Sequence, residues 1–251
     1  MTFRLAYSTL HWKESKLEQD LIHLKEAGWE GWETRQSLDW LGSARRIRRI
    51  CDAIGLKVAA VSGPNVTLST TDSAYEINKR RIEFASDLGV STFMTKGPGR
   101  LDRSTTGADL DMMAAVYEGL AVFAEPLGVT VTFHPHINHL VDSADEWQRF
   151  MTRLHHCRLC FDMSHAVHWG CDPVQAVYDY RDRISYVHLH DYRGQADVQL
   201  GEGMMCDYPA FLSALEDISY TGWITVCPGT TKIPENEKLR INRMYLKSIG
   251  Y

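Results

Sequence analysis

Residues 127–136 read LGVTVTFHPH, and this stretch decides the fold. A glycine directly after an amphipathic segment supplies the left-handed conformation that ends a helix at little steric cost. The β-rich run that follows, Val129-Thr130-Val131-Thr132-Phe133, suits a buried parallel strand. The same succession recurs at Ala27-Gly28-Trp29, Ile54-Gly55-Leu56 and Leu88-Gly89-Val90.

Working outward, the pattern predicts strands over 3–8, 30–34, 57–62, 91–95, 129–134, 158–162, 184–190 and 223–227. Helices are predicted between them over 14–27, 42–54, 72–88, 107–126, 143–155, 173–182, 207–217 and 235–248. Ser143-Ala144-Asp145-Glu146 is a capping box at the start of the fifth helix. Eight alternations run through 251 residues without a break in composition, and the 44% hydrophobic content is ordinary for a globular chain. The expected architecture is therefore α/β, a single (β/α)8 TIM barrel over residues 1–251. An open doubly wound sheet would carry a glycine-rich phosphate loop after its first strand, and Tyr7-Ser8-Thr9-Leu10 is no such loop.

The net charge of −5 argues against a nucleic-acid or anionic-membrane partner. The densest basic stretch, Arg45-Arg46-Ile47-Arg48-Arg49, has the spacing of a solvated helix face. No apolar run is long enough for a membrane span, and the N-terminus has no signal-peptide pattern, so a cytoplasmic location is expected. Six cysteines do not make a disulfide framework in a chain of this length. Cys157 and Cys160, though spaced as CxxC, are expected to be buried strand thiols.

In a TIM barrel the chemistry sits at the C-terminal ends of the strands. The fifth strand ends in His134-Pro135-His136, the sixth in Asp162 with Ser164 and His165 following, the seventh in His188-Leu189-His190. Side chains two apart on a strand share a face. Adjacent strands lie about 4.8 Å apart. His134, Asp162 and His188 thus come from successive strands at similar depth and are placed to meet at one ion. Two imidazoles and a carboxylate would leave coordination positions open for substrate. The second strand adds Glu33, the fourth Lys96 and the eighth Cys227. His11, His23, His155 and His156 fall on helical or loop segments and are expected to carry no chemistry. Trp12, Trp40 and Trp169 are expected to pack under loops near the strand ends. Arg100 and Arg193 are, with Lys96, the only obvious cations for a phosphate, so a non-phosphorylated substrate is favoured.

The stretch from Cys157 to Arg193, CRLCFDMSHAVHWGCDPVQAVYDYRDRISYVHLHDYR, resembles the sugar isomerase/epimerase superfamily with a xylose-isomerase-like TIM barrel. The marks are Asp-x-x-His, Gly-x-Asp-Pro and Arg-Ile-x-x-Val-His-Leu-x-Asp. Leu200-Gly201-Glu202-Gly203 and Tyr220-Thr221-Gly222-Trp223-Ile224 continue the order, and Gly31-Trp32-Glu33 is an earlier echo. The His-x-His strand end and the closing Tyr245–Gly250 look most like the inosose dehydratase branch.

The resemblance implies one divalent metal ion, commonly Mn2+, with Zn2+, Co2+, Mg2+ or Fe2+ as other options. Its family ligands are a carboxylate on strand five, an Asp after strand six, a His on strand seven and a Glu on strand eight. Asp162 and His188 match directly, His134 stands at the strand-five position, and Cys227 replaces the strand-eight Glu. Cys227 is either a fourth ligand or a pocket lining. His165 matches a substrate-binding histidine. His136, His165 and His190 are the candidate proton-transfer groups, with Lys96 and Glu33 as further candidates.

Two-base epimerisation in the family uses the two metal-bound glutamates, and neither is present. The expected activity is therefore a metal-dependent lyase of the dehydratase type acting on a keto-sugar or keto-cyclitol. An isomerase or epimerase working through an enediolate and a non-catalytic sugar-binding protein are the alternatives. The expected partner is a small carbohydrate or cyclitol, with self-association into a homo-oligomer a further expectation of the resemblance.

Overall fold

The computed structural model describes residues 3–12, 16–203 and 206–251. Eight parallel strands form the barrel: β1 (Arg4–Ser8), β2 (Gly31–Thr34), β3 (Lys57–Ser62), β4 (Thr92–Lys96), β5 (Thr130–His134), β6 (Arg158–Asp162), β7 (Ile184–Leu189) and β10 (Trp223–Val226). They close in the order β1-β10-β7-β6-β5-β4-β3-β2, as the alternating pattern predicts. A short antiparallel hairpin, β8 (Asp191–Arg193) and β9 (Ala196–Val198), follows β7.

The helices that return the chain are α1 (Leu17–Glu26), α3 (Ala44–Ile54), α4 (Ser73–Leu88), α5 (Gly107–Ala124), α6 (Ala144–Met151), α8 (Pro173–Asp179), α9 (Tyr208–Asp217) and α10 (Glu235–Ser248). Two more were not foreseen: α2 (Leu38–Leu41) and α7 (Met163–His168). The helix expected over 42–54 begins at Ala44 because Ser43, in an extended conformation, caps it by accepting from the Arg46 N–H. The helix expected over 107–126 stops at Ala124, where Pro126 helps tighten the chain into a 3-10 turn. Gly55 and Gly89 take the left-handed conformation at the ends of α3 and α4. Residues 14 and 15 of the first expected helix lie outside the described residues. Among the described residues, no helix is long and apolar enough to cross a membrane.

Alternation along the strands sorts the side chains into two compartments. Outward residues such as Trp32, Val61, Phe93, Phe133, Phe161, Leu189 and Ile224 pack under the helices. Inward, Ala6, Ala60, Met94, Cys160 and Tyr186 form a separate small core that Ala59 also joins, with Trp223 packed against it. The small residues on one side make room for the two large rings on the other. Gly31 belongs to this arrangement, since a Cβ there would stand 2.8 Å from the Trp223 ring. The Tyr186 hydroxyl meets Thr225 Oγ1 at 2.6 Å, so the ring brings no unsatisfied polar atom into the core. This plug forms the floor of the barrel mouth.

The floor yields a prediction. Gly31→Ala should overpack it and cost about 1–3 kcal/mol. A urea titration should show a lower midpoint with an unchanged slope; an unshifted midpoint would mean the floor yields freely.

Candidate active site

Above the floor every strand contributes a polar residue to the same end of the barrel. Parallel register places Ser8 beside Glu33, Lys96 beside His134, Asp162 beside His188, and His188 beside Thr225. Glu33, His134, Asp162, His165 and His188 are all buried. A set of ionisable groups this deep must be paired, neutral or ligating.

Asp162 ends β6 and caps α7. Its Oδ1 accepts from the Ser164 N–H at 3.0 Å and from the Ser164 hydroxyl at 2.6 Å. Its Oδ2 has no hydrogen-bond partner, and lies 3.5 Å from both His134 Nε2 and His165 Nε2. Both nitrogens of His134 and both of His165 are likewise buried without partners. The His134 ring sits 4.7 Å from that of His188 and 5.7 Å from that of His165.

His188 is held from behind. Its Nε2 lies 2.7 Å from Glu33 Oε2. Glu33 Oε1 accepts from Arg35 Nε at 2.7 Å and from the Ser8 hydroxyl at 2.9 Å. An ionised carboxylate only accepts, so the Nε2 of His188 carries the hydrogen. Its Nδ1, buried and without a partner, then presents a lone pair. A carboxylate behind a histidine is the arrangement that fixes ring orientation in metal centres.

Charge follows from burial and neighbours. Burial alone would raise Glu33, but the charges of Arg35 and His188 and the hydrogen bonds from His188 and Ser8 hold it well below its ordinary value. Burial likewise opposes ionisation of Asp162, and the facing imidazoles of His165 and His134 outweigh it and hold it low. His134 is driven well down by burial, which outweighs Asp162, and His165 falls to about 4 for the same reason. The geometry is therefore a carboxylate oxygen and imidazole nitrogens, unpartnered and close together.

Such a set fits a divalent cation, which has no counterpart among the protein's own groups here. Among the described residues, possible donor atoms lie within 4.8 Å of one another in two groups, His134–Asp162–His165 and His134–Cys160–His188. The first offers mixed nitrogen and oxygen ligands. The second needs a thiolate, and burial pushes the Cys160 thiol well above its ordinary value, so the first group has the lower deprotonation cost.

The other expected residues lie around this centre. Cys227 is buried, with its Sγ 3.9 Å from an Arg35 nitrogen; burial pushes the thiol up to about 12, and it joins neither group. The His136 ring lies 4.3 Å from that of His165 at a tilt of 54°, and its Nδ1 donates to the Ile137 carbonyl at 2.8 Å. His190 Nε2 is 3.1 Å from Asp197 Oδ1, and its own carbonyl accepts from the Tyr208 hydroxyl. Lys96 stands half-buried at the rim of β4. Glu202 accepts from the Gln199 N–H as a loop residue does. Arg100 pairs with Asp142 at 2.8 Å, and Arg193 donates to the Glu202 carbonyl. Trp169 is half-buried and donates to Asp142.

Sequence reasoning missed four contributors. Ser8 and Arg35 were legible in principle, Arg35 by sharing the face of Glu33 two residues on. Cys160 shares the face of Asp162 by the same parity. Asp197 reaches His190 only through the β8–β9 hairpin, which left no sequence signal.

The family model described as a xylose isomerase-like TIM barrel matches residues 21–249. An inosose dehydratase of Geobacillus kaustophilus is 32% identical over 127 residues, covering 42% of this chain and 41% of that protein. The rhizopine catabolism protein MocC of Rhizobium meliloti is 24% identical and covers 90% of this chain and 81% of that protein. An inosose dehydratase of Lacticaseibacillus casei is 25% identical, with coverage of 90% and 89%. Among solved structures, an L-ribulose 3-epimerase superposes with a TM-score of 0.84 at 20% identity, covering 99% of this chain and 94% of that one. A 3-keto-D-glucoside 4-epimerase of E. coli gives 0.82 at 18% identity, covering 99% of both chains. These structural likenesses show the fold.

The Glu33 network predicts a pH effect. A carboxyl held low in the folded state stabilises fully above its ordinary value of 4.5, and that contribution is lost as pH falls through the folded value. Glu33→Gln should cost about 3 kcal/mol at pH 7, because Arg35 is left buried without its counter-charge. The gap between wild type and variant should narrow below about pH 4.5. Urea titrations across pH 3 to 8, taken as about the accessible range, check this; a constant gap would contradict it.

Proposed function

Because the chain belongs to the xylose isomerase-like TIM barrel family, we propose that it is a metal-dependent lyase of the dehydratase type, acting on a keto-sugar or keto-cyclitol. The observation that carries this reading is the cluster of unpartnered donors on His134, Asp162 and His188. His134, Asp162 and His188 would hold the ion, and His165, whose donor atom lies within 4.8 Å of those of His134 and Asp162, would be a further ligand or a contact to substrate; His188 has its donor atom within that distance of His134 and Cys160. Cys227 lines the pocket against Arg35. A divalent ion bound there supplies Lewis acidity toward the substrate carbonyl oxygen.

The chain supplies the rest. His190 is the proton-transfer group, since Asp197 accepts from its Nε2 and leaves Nδ1 as the basic nitrogen. It takes the proton α to the carbonyl. The electrons of that C–H bond form the new double bond as the β-hydroxyl leaves, and the proton returned to that oxygen makes water. The Glu33–His188 contact keeps the imidazole face fixed while charge moves. His136 and His165 border the same space and orient hydroxyls. The relatives named inosose dehydratase support a dehydration over an epimerisation, and the absence of glutamates from the two family positions at His134 and Cys227 agrees.

Purified protein should retain one divalent ion by elemental analysis. Asp162→Asn should weaken it by about 100-fold or more, while Cys227→Ser should leave the stoichiometry unchanged. On an inosose, with loss of water followed by mass, His190→Ala should lower kcat by about 10²–10⁴. Deuterium wash-in from solvent with no loss of water would favour the epimerase reading instead.

A further inference from the structure

Lys96 is the one cation of the mouth left without a counter-charge among the described residues. It ends β4, two residues beyond Met94, which faces the barrel interior. Strand alternation therefore turns its ammonium into the mouth. It is register-paired with His134. No hydrogen bond or ion pair is formed by its Nζ among the described residues.

The carboxylates nearby are all engaged. Glu33 is held by Arg35, Ser8 and His188. Asp162 is held by Ser164 and faces the imidazoles. Asp197 accepts from His190 and from the Thr230 N–H. Asp142 is held by Arg100 and Trp169. Burial and the nearby charge of Arg35 depress Lys96, and Cys227 and Glu33 offset this only in part.

The charges of the mouth tell the same story. Arg35, Lys96 and Arg100 stand against Glu33, Asp162, Asp197 and Asp142. A divalent ion at the donor cluster would then leave the mouth positive by one charge. A neutral polyol leaves that surplus in place, whereas an acid group on the substrate removes it and gives the Lys96 ammonium a partner. A half-buried cation facing a carboxylate makes a charge-assisted hydrogen bond, stronger than one to a hydroxyl.

We propose that the substrate is a sugar acid or cyclitol acid, a polyhydroxylated ketone bearing a carboxylate, and that Lys96 receives that carboxylate. This rests on the reading of the site as one for a polyhydroxylated ketone. Lys96 selects among such ketones, and a ligand spans the mouth with its oxygens toward the donor cluster and its acid group toward β4.

The test compares D-glucuronate with D-glucose, a matched pair that differs by a carboxylate in place of a hydroxymethyl group, by calorimetric titration of the Mn2+-loaded protein. Glucuronate should bind about tenfold tighter or better. Lys96→Met should lose that preference while changing glucose affinity less than about twofold. Lys96→Arg, which keeps the charge, should stay within about threefold of wild type and covers the case in which the methionine variant fails to fold. Equal affinities, tighter glucose binding, no measurable glucuronate binding, or an unchanged preference in Lys96→Met would each overturn the proposal. Repeating the titrations without metal separates the two readings. A preference that survives metal removal and vanishes in Lys96→Met keeps Lys96 as the acid receptor even if the ion has another place. Tight Mn2+ binding that depends on Asp162, with no preference for the acid, leaves the lyase reading intact and removes this one.

Discussion

A carboxylate oxygen buried away from water and given no donor is costly, and the barrel keeps Asp162 Oδ2 in that state. Its other oxygen is satisfied by Ser164, so the side chain is locked and cannot turn away. Imidazole nitrogens from β5 and α7 stand at 3.5 Å, too far for a good hydrogen bond and placed as a coordinating ion would require. The fold tolerates this because the floor beneath, built on Tyr186 and Trp223, and the helical layer outside are well packed. Stability elsewhere offsets an unsatisfied mouth, which is the usual place for a protein to break its own packing rules.

The second constraint is the fixing of His188. Had its Nε2 been free, the ring could flip and present either nitrogen. Glu33 removes that freedom, and Arg35 and Ser8 fix Glu33 in turn. Ser8 ends β1, Glu33 lies on β2 and Arg35 follows that strand directly, across the barrel from Asp162 in β6. The closed sheet is what allows residues far apart in sequence, Ser8 and His188 among them, to share one hydrogen-bonded unit.

Much of this was legible in the sequence because strand chemistry is periodic. The glycine-punctuated alternation that begins at LGVTVTFHPH predicts eight strands, and eight strands close as expected. Parity along β6 and β7 brings Asp162 beside His188 in register, and the ring of His134 on β5 lies 4.7 Å from that of His188. What stayed hidden depends on loops and on packing. The β8–β9 hairpin that carries Asp197 to His190 is three residues a strand and shows no alternation of its own. The helix α7 begins inside the motif Asp-x-x-His, where capping by Asp162 competes with any loop reading. Cys160 was read as an inert thiol; it is buried in the barrel floor and still within donor distance of His134 and His188.

The central claim is that imidazoles from β5 and β7 and the carboxylate of β6 aim at a single cation. Anomalous diffraction at the manganese edge from crystals grown with Mn2+ addresses it directly. The account predicts one peak at bonding distance, about 2.0–2.3 Å, from Asp162 Oδ2, His188 Nδ1 and a nitrogen of His134. A map with no peak between those three side chains, or with water bridging them while manganese sits elsewhere, would contradict it.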